Sequence, residues 1–250
     1  MGEPRLYAKR EGKRMSAKDL IRPLPGVRQL SLLRQRIAFH SSAMYWEQNY
    51  AHGGTSGSGS YDRLAEGKAA FLNDFVRERY VRSVIEFGCG DGNQLSLADY
   101  PRYIGLDVSR SAIGICQRWF ADDPTKSFFL YDGACFTDRA GMFTADLALS
   151  LDVVYHLTED AVFQTYMTHL FAAAARFVII YATNSETPSA APHVRHRHFT
   201  PWAEAHARRW RLLDVVPGPG HGPERADFFT YERVTTAASE ARDTAVPRSF

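Results

Sequence analysis

Val84-Ile-Glu-Phe-Gly-Cys-Gly-Asp-Gly-Asn93 is the stretch on which the reading of this 250-residue chain turns. Val84, Ile85 and Phe87 are β-branched or aromatic, the residue types that fill a short buried strand. They lead directly into Gly88, Gly90 and Gly92, where bare main chain can turn tightly and lie against a ligand. Three glycines in a loop are common; their place straight after an apolar strand makes this a candidate ligand loop. The spacing is GxGxG, and Asn93 stands where a dinucleotide fingerprint needs its last glycine. Glu86, inside the strand's end, is also ill placed beside a pyrophosphate.

Outward from this loop, strand and helix signals alternate. Strands are expected at Ser83–Phe87, Tyr103–Asp107, Ser127–Tyr131, Ala145–Leu151 and Arg176–Tyr181, then at Trp210–Val216 and Asp227–Val234. Helical stretches are expected between the first five, notably Ser111–Phe120 and Thr158–Ala175, with another before them at Tyr61–Tyr80. That alternation predicts an α/β fold, Rossmann-like and doubly wound, with seven strands and helices on both faces. Between the last two strands stands only Pro217-Gly-Pro-Gly-His-Gly-Pro223, too irregular for a crossover helix, so the last strand is expected to be antiparallel.

In such a sheet the carboxyl ends of successive strands share one crevice. Fifteen residues beyond Gly92 the second strand ends in Asp107, an acid able to accept hydrogen bonds from both hydroxyls of a ribose. The third ends at Asp132, placed to meet an adenine amino group. Three such features at three strand ends are far less expected by chance than any one alone.

The flanks carry less. From residue 1 to 38, ten Lys or Arg against three acids give a balance of +7, leaving −5 on the rest of a chain whose formal net charge is +2. A basic arm suggests contact with an anionic surface, such as lipid headgroups at the inner face of a membrane, nucleic acid or a partner, or else a solvated, partly disordered tail. Within it Val27, Leu30, Leu33 and Ile37 recur at helical spacing. Residues 39–80 contain a Gly/Ser-rich stretch, His52–Ser60, that reads as linker or lid, and 235–250 read as a flexible tail. Cys89, Cys116 and Cys135 form no CxxC pair. No apolar run approaches the roughly 20 residues that span a bilayer, so the cytoplasm is the expected location.

Glu86-Phe-Gly-Cys-Gly-Asp-Gly92, Asp107, Tyr131-Asp132-Gly133 and Ser150-Leu-Asp-Val-Val-Tyr-His-Leu157 together resemble the motifs of class I S-adenosylmethionine-dependent methyltransferases. The resemblance covers about residues 80–234; 184–209 lie outside it as an insert. It implies S-adenosylmethionine as cofactor, held by Glu86, Gly88, Gly90, Asp91, Gly92, Asp107, Asp132, Gly133 and Asp152. The tetrapeptide Leu151-Asp-Val-Val154 lacks the Pro-Pro-aromatic pattern of enzymes that methylate base amino groups, and the chain has no Pro-Cys, which argues against nucleic acid. The resemblance leans instead towards bacterial methyltransferases of saccharides and polar small molecules, acting on a hydroxyl or amine.

A hydroxyl acceptor needs its proton removed by a positioned base. The candidates are His156, Asp152 and His196, with His156 first because its segment leaves the fourth strand at the crevice. Packing or capping of the next helix is the equal alternative for His156. His193-Val-Arg-His-Arg-His198 would overhang the acceptor side, where Arg195 and Arg197 could take an anionic group and His193, Tyr155 and Tyr61 line the approach. These histidines have no Cys or carboxylate motif beside them, so no metal is expected. A nicotinamide-dependent oxidoreductase, or a scaffold that binds cofactor without turnover, are the competing functions. Since every expected strand lies downstream of the arm, a chain beginning at Phe39 should still unfold cooperatively in urea; an insoluble product would show that Val27, Leu30, Leu33 and Ile37 complete the core.

Overall fold

A computed structural model describes residues 41–222 and 225–234. The basic arm, its amphipathic segment and the C-terminal tail lie outside the described residues. Seven strands form one sheet: β1 (Val84–Phe87), β2 (Tyr103–Asp107), β3 (Lys126–Leu130), β4 (Ala145–Leu151), β5 (Ala174–Ala182), β6 (Trp210–Pro217) and β7 (Asp227–Arg233). Their order is β3-β2-β1-β4-β5-β7-β6. The first five pair in parallel, and β7 inserts antiparallel between β5 and β6. The helices are α1 (Ser42–Ala51), α2 (Asp62–Glu78), α3 (Arg110–Trp119), α4 (Asp160–Ala172) and α5 (Thr200–His206).

The central strands are apolar on both faces because both faces are covered. Ile85, Phe87, Ala148, Val178 and Ile180 join Phe163, Met167 and Leu170 of α4 in one core. Val84, Leu147, Leu149, Phe177 and Ile179 join Leu72 and Val76 of α2 and Ile113 and Cys116 of α3 in the other. The alternation along β1 sends Glu86 to the face that α2 covers, with Val84.

All seven expected strands form, each within two residues of its expected ends. The expectation of a helix in every early crossover is corrected. Between β1 and β2 there is only a 3-10 turn, Leu95–Leu97, and between β3 and β4 no helix forms among the described residues. The second crossover contains Gly133, Asp138 and Gly141, residues that favour turns over helix, and its Phe136 and Phe143 pack on the core from a loop. Two helices had not been anticipated. α1 is capped by Ser41, whose hydroxyl accepts from the Met44 N–H, and α5 begins at Thr200-Pro201. No helix among the described residues is long and apolar enough to cross a membrane.

The register of β4 puts Leu149 at the centre of the sheet, fully buried. Leu149→Ala should cost about 2–5 kcal/mol in urea unfolding. Leu212→Ala on the edge strand β6, where the side chain is 39% exposed, should cost under about 0.5 kcal/mol. Equal losses at the two sites would contradict this packing.

Candidate active site

The carboxyl ends of β1, β2 and β4 open into a cavity of ≈ 640 Å³. Its floor is the glycine loop. Gly88 and Gly90 have φ of 84° and 58°, a region costly for residues with a Cβ. A Cβ on Gly88 would lie 2.4 Å from the Val153 side chain, and one on Gly90 would lie 2.3 Å from Ser56 Oγ. Both line the cavity. Gly92 does not: it packs against Phe120 and Cys116, behind the loop.

Asp107, at the end of β2, reaches the cavity wall with each oxygen already accepting one backbone N–H, from Gly90 at 2.9 Å and Ser109 at 2.8 Å. A carboxylate has about four acceptor positions, so capacity remains for a ligand's hydroxyls. Burial pushes its pKa up to about 6. Glu86 lines the cavity beside it, accepts from Tyr103 Oη at 2.6 Å, and is pushed up to about 7, again by burial. Asp132 and Gly133 border the cavity after β3, with Asp132 exposed.

Asp91 has a different task. It accepts from the Ser56 N–H at 2.9 Å, Tyr61 Oη at 2.7 Å and the Asn93 N–H at 3.1 Å. These bonds fasten the Gly/Ser-rich stretch onto the glycine loop, so that stretch is a fixed wall and not a free linker. Tyr61 is spent on the same carboxylate and does not line the cavity. Over the top lies α1, presenting Trp46 and Tyr50 to the cavity. Glu47 ties it to the start of α3 through the Ser109 and Ser111 hydroxyls, both at 2.7 Å. Those bonds hold the Glu47 carboxyl below its ordinary pKa. Ser42 donates from its N–H and hydroxyl to Glu159, just before α4.

At the end of β4 the chain turns sharply at Asp152, whose φ is 60°. One carboxylate oxygen accepts from Tyr155 Oη at 2.7 Å; the other pairs with Lys68 Nζ at 2.5 Å. His156 follows, on the cavity wall. Its Nδ1 lies 2.9 Å from the His193 carbonyl, which can only accept, so Nδ1 carries the hydrogen and Nε2 keeps a lone pair. Burial lowers the His156 pKa to about 4, so the ring is neutral at physiological pH. The Trp46 ring meets it edge-on at 4.8 Å.

The His/Arg-rich segment folds against this wall without lining the cavity. His193 stacks on Tyr45 at 4.2 Å, and His196 Nδ1 lies 2.6 Å from Thr183 Oγ1. Arg195 and Arg197 both pair with Asp160, and both donate to carbonyls at the start of α4. Arg197 is nearly buried by these contacts, whereas the Arg195 side chain stays 50% exposed with its bonds made through Nη1. Glu86, Gly88, Gly90, Asp107, Asp132, Gly133, Asp152 and His156 are thus brought together, whereas Asp91, Gly92, Tyr61, Tyr155, His193, His196, Arg195 and Arg197 stand behind them. Sequence reasoning missed Trp46, Tyr50, Glu47 and Lys68. Lys68 left a trace: it falls within the stripe Ala65, Leu72 and Val76 that α2 buries. Among the described residues no group of three or more His, Cys, Asp or Glu is placed to hold a metal.

No protein-family model matches the chain. Among solved structures it is similar to the N-methyltransferase NodS from Bradyrhizobium japonicum WM9, in complex with S-adenosyl-L-homocysteine. That likeness has a TM-score of 0.62 and 16% identity, over 78% of this chain and 99% of NodS. The methyltransferase domain of a bacterial Hen1 aligns with TM-score 0.55 and 20% identity, over 68% of this chain and all of that domain. Among curated proteins it resembles a small RNA 2′-O-methyltransferase of Arabidopsis thaliana, 28% identical over 108 residues. That is 39% of this chain and only 12% of the plant protein. The fold is that of the class I S-adenosylmethionine-dependent methyltransferases.

The buried Glu86 makes a prediction about the protein without ligand. Because its folded pKa of about 7 exceeds the ordinary 4.5, its favourable contribution is complete below pH 4.5 and is lost as pH rises towards 7. Glu86→Gln, which keeps an acceptor for Tyr103, should therefore raise the melting temperature at pH 8 and leave it nearly unchanged at pH 4. A variant no more stable than wild type at pH 8 would contradict that assignment.

Proposed function

We propose that this chain is an S-adenosylmethionine-dependent methyltransferase that methylates a hydroxyl, or an amine, of a saccharide or polar small molecule. The observation that carries the reading is one cavity with three properties. It has bare main chain at Gly88 and Gly90, a carboxylate with spare acceptor capacity at Asp107, and a neutral imidazole, His156, with its Nε2 lone pair available. The cavity's ≈ 640 Å³ falls in the range usual for small-molecule sites.

The residues present fit the cofactor. Gly88 and Gly90 would accommodate it against the main chain, Asp107 would accept from its ribose hydroxyls, and Asp132 and Gly133 would flank its base. Glu86 and Asp152 offer negative charge to the cationic amino-acid end. Bound there, S-adenosylmethionine supplies a methyl group already activated by its sulfonium.

What remains for the protein is positioning and one proton. α1 covers part of the cavity with Trp46 and Tyr50. Neutral His156 accepts the hydroxyl proton at Nε2 as the acceptor oxygen attacks, and the His193 carbonyl holds the ring in that tautomer. A lowered pKa keeps the lone pair available down to about pH 4. A second reading, methylation of a ribose hydroxyl in RNA, is supported by the likeness to the small RNA 2′-O-methyltransferase and would use His156 in the same way. The GxGxG spacing and the likenesses favour methyl transfer over nicotinamide chemistry.

Titration calorimetry with S-adenosylhomocysteine tests the cofactor assignment. Asp107→Ala should weaken binding by about 1.5–3 kcal/mol, the range for hydrogen bonds to a charged group. Undiminished affinity in a folded variant would refute it. A screen of sugars, polar metabolites and short RNAs with labelled cofactor then separates the two acceptor readings. On the acceptor found, His156→Ala should slow turnover by on the order of 10²–10⁴ with cofactor affinity unchanged.

A further inference from the structure

Lys68 is fully buried, one of the largest side chains in the molecule with no exposed surface. It sits on α2, a helix outside every motif that marks the cavity. An ammonium removed from water must be paired, or its desolvation goes uncompensated. Here the partner is Asp152 Oδ2 at 2.5 Å, with the Tyr181 ring 5.2 Å from Nζ.

Asp152 is an unusual place to spend such a contact. It is the pivot at which β4 leaves the sheet, held at φ 60°, a conformation unfavourable for a residue with a Cβ. Its N–H donates to the Tyr181 carbonyl at 2.9 Å. Its second carboxylate oxygen takes the Tyr155 hydroxyl, and Gly59 is packed so closely that a Cβ there would lie 3.0 Å from Oδ2. The next residues form a 3-10 turn, Val154–His156, that ends on the imidazole at the cavity wall. Lys68 thus grips the carboxylate from one side and Tyr155 grips it from the other.

We infer that Lys68 is a positioning residue for the proton acceptor: its ion pair with Asp152 behind the cavity wall fixes the turn that presents His156. The inference rests on the proposed reading of His156 as base and adds the group that orients it. Lys68 itself touches no reacting atom. Its effect passes through Asp152 to Tyr155 and the 154–156 turn, and its loss shifts His156 away from the His193 carbonyl that sets its tautomer. A misplacement of about 1 Å is enough to cost about a hundredfold in rate.

The test compares Lys68→Met with the double variant Lys68→Met, Asp152→Asn. Removing Lys68 alone strands a carboxylate in a nearly buried site; removing both charges relieves that penalty while leaving Tyr155 a hydrogen-bond partner. The first readout is the pair of imidazole ¹⁵N shifts of His156 in the protein without ligand, assigned with His156→Gln. Wild type should show one fixed tautomer, with hydrogen on Nδ1. The double variant should regain the melting temperature and lose that single-tautomer signature. With an acceptor in hand, its kcat should fall about 10- to 100-fold. If Lys68→Met does not fold, the double variant decides alone. A wild-type His156 signature in the double variant would overturn the inference, because the pair would then be a structural charge balance and nothing more. The tautomer measurement needs no cofactor, so it reports on Lys68 even if S-adenosylhomocysteine fails to bind wild type and the methyltransferase reading falls.

Discussion

Burial of carboxylates at one edge of a parallel sheet is the constraint around which the molecule is organised. Glu86, Asp91 and Asp107 are each at most 6% exposed, and the Asp152 side chain is 13% exposed. A carboxylate taken from water must find donors or a countercharge, and each of these finds them in a different part of the chain. Asp107 takes backbone N–H groups from Gly90 and Ser109, Glu86 takes the Tyr103 hydroxyl, and Asp91 takes Ser56 and Tyr61. Asp152 takes Lys68 and Tyr155. The loops therefore have little freedom: each is drawn to the cavity by an acid that would otherwise be unsatisfied.

The same logic builds the cover. α1 contributes little apolar burial of its own, Tyr50 being its main buried hydrophobic residue. It is held at its start and near its middle by carboxylate–serine contacts, Glu159 on Ser42 and Glu47 on the start of α3. Those acids lie where helix N-termini favour negative charge. A cover fastened by polar contacts at a half-wet boundary is less costly to lift than one packed into the core, a property suited to a site that must admit and release ligands.

The His/Arg-rich segment is tied to the turn and helix that follow β4. Two arginines and three histidines in six positions suggest a recognition loop. Asp160 and the unpaired carbonyls of Leu157 and Thr158 lie within reach, and Arg195 and Arg197 satisfy them. The segment's product for the site is indirect: the His193 carbonyl that sets the tautomer of His156, and the Arg195 N–H that binds the Tyr155 carbonyl at 2.7 Å.

What could be read directly from the chain follows from local rules. Apolar strands ending in Gly88-x-Gly90, Asp107 and Asp132 fixed the class of fold and the edge where a ligand would lie, since strand period and glycine loops are properties of a few adjacent residues. His156 was legible as well, through its place just after β4. The helices of the crossovers were overestimated because two of these connections are rich in helix-breaking residues, Gly88, Gly90, Gly92 and Pro101 in one and Gly133 and Gly141 in the other. Tertiary structure alone decided which chemistry-bearing side chains face the cavity. Asp91, Tyr61 and Arg197 are spent on other groups, while Trp46 and Tyr50 arrive at the cavity, and Lys68 behind its wall, from helices upstream of every motif. The reason is physical: whether a polar side chain is free or spent depends on partners tens of residues away. Lys68 and Asp152 are 84 positions apart in the chain and 2.5 Å apart in the fold.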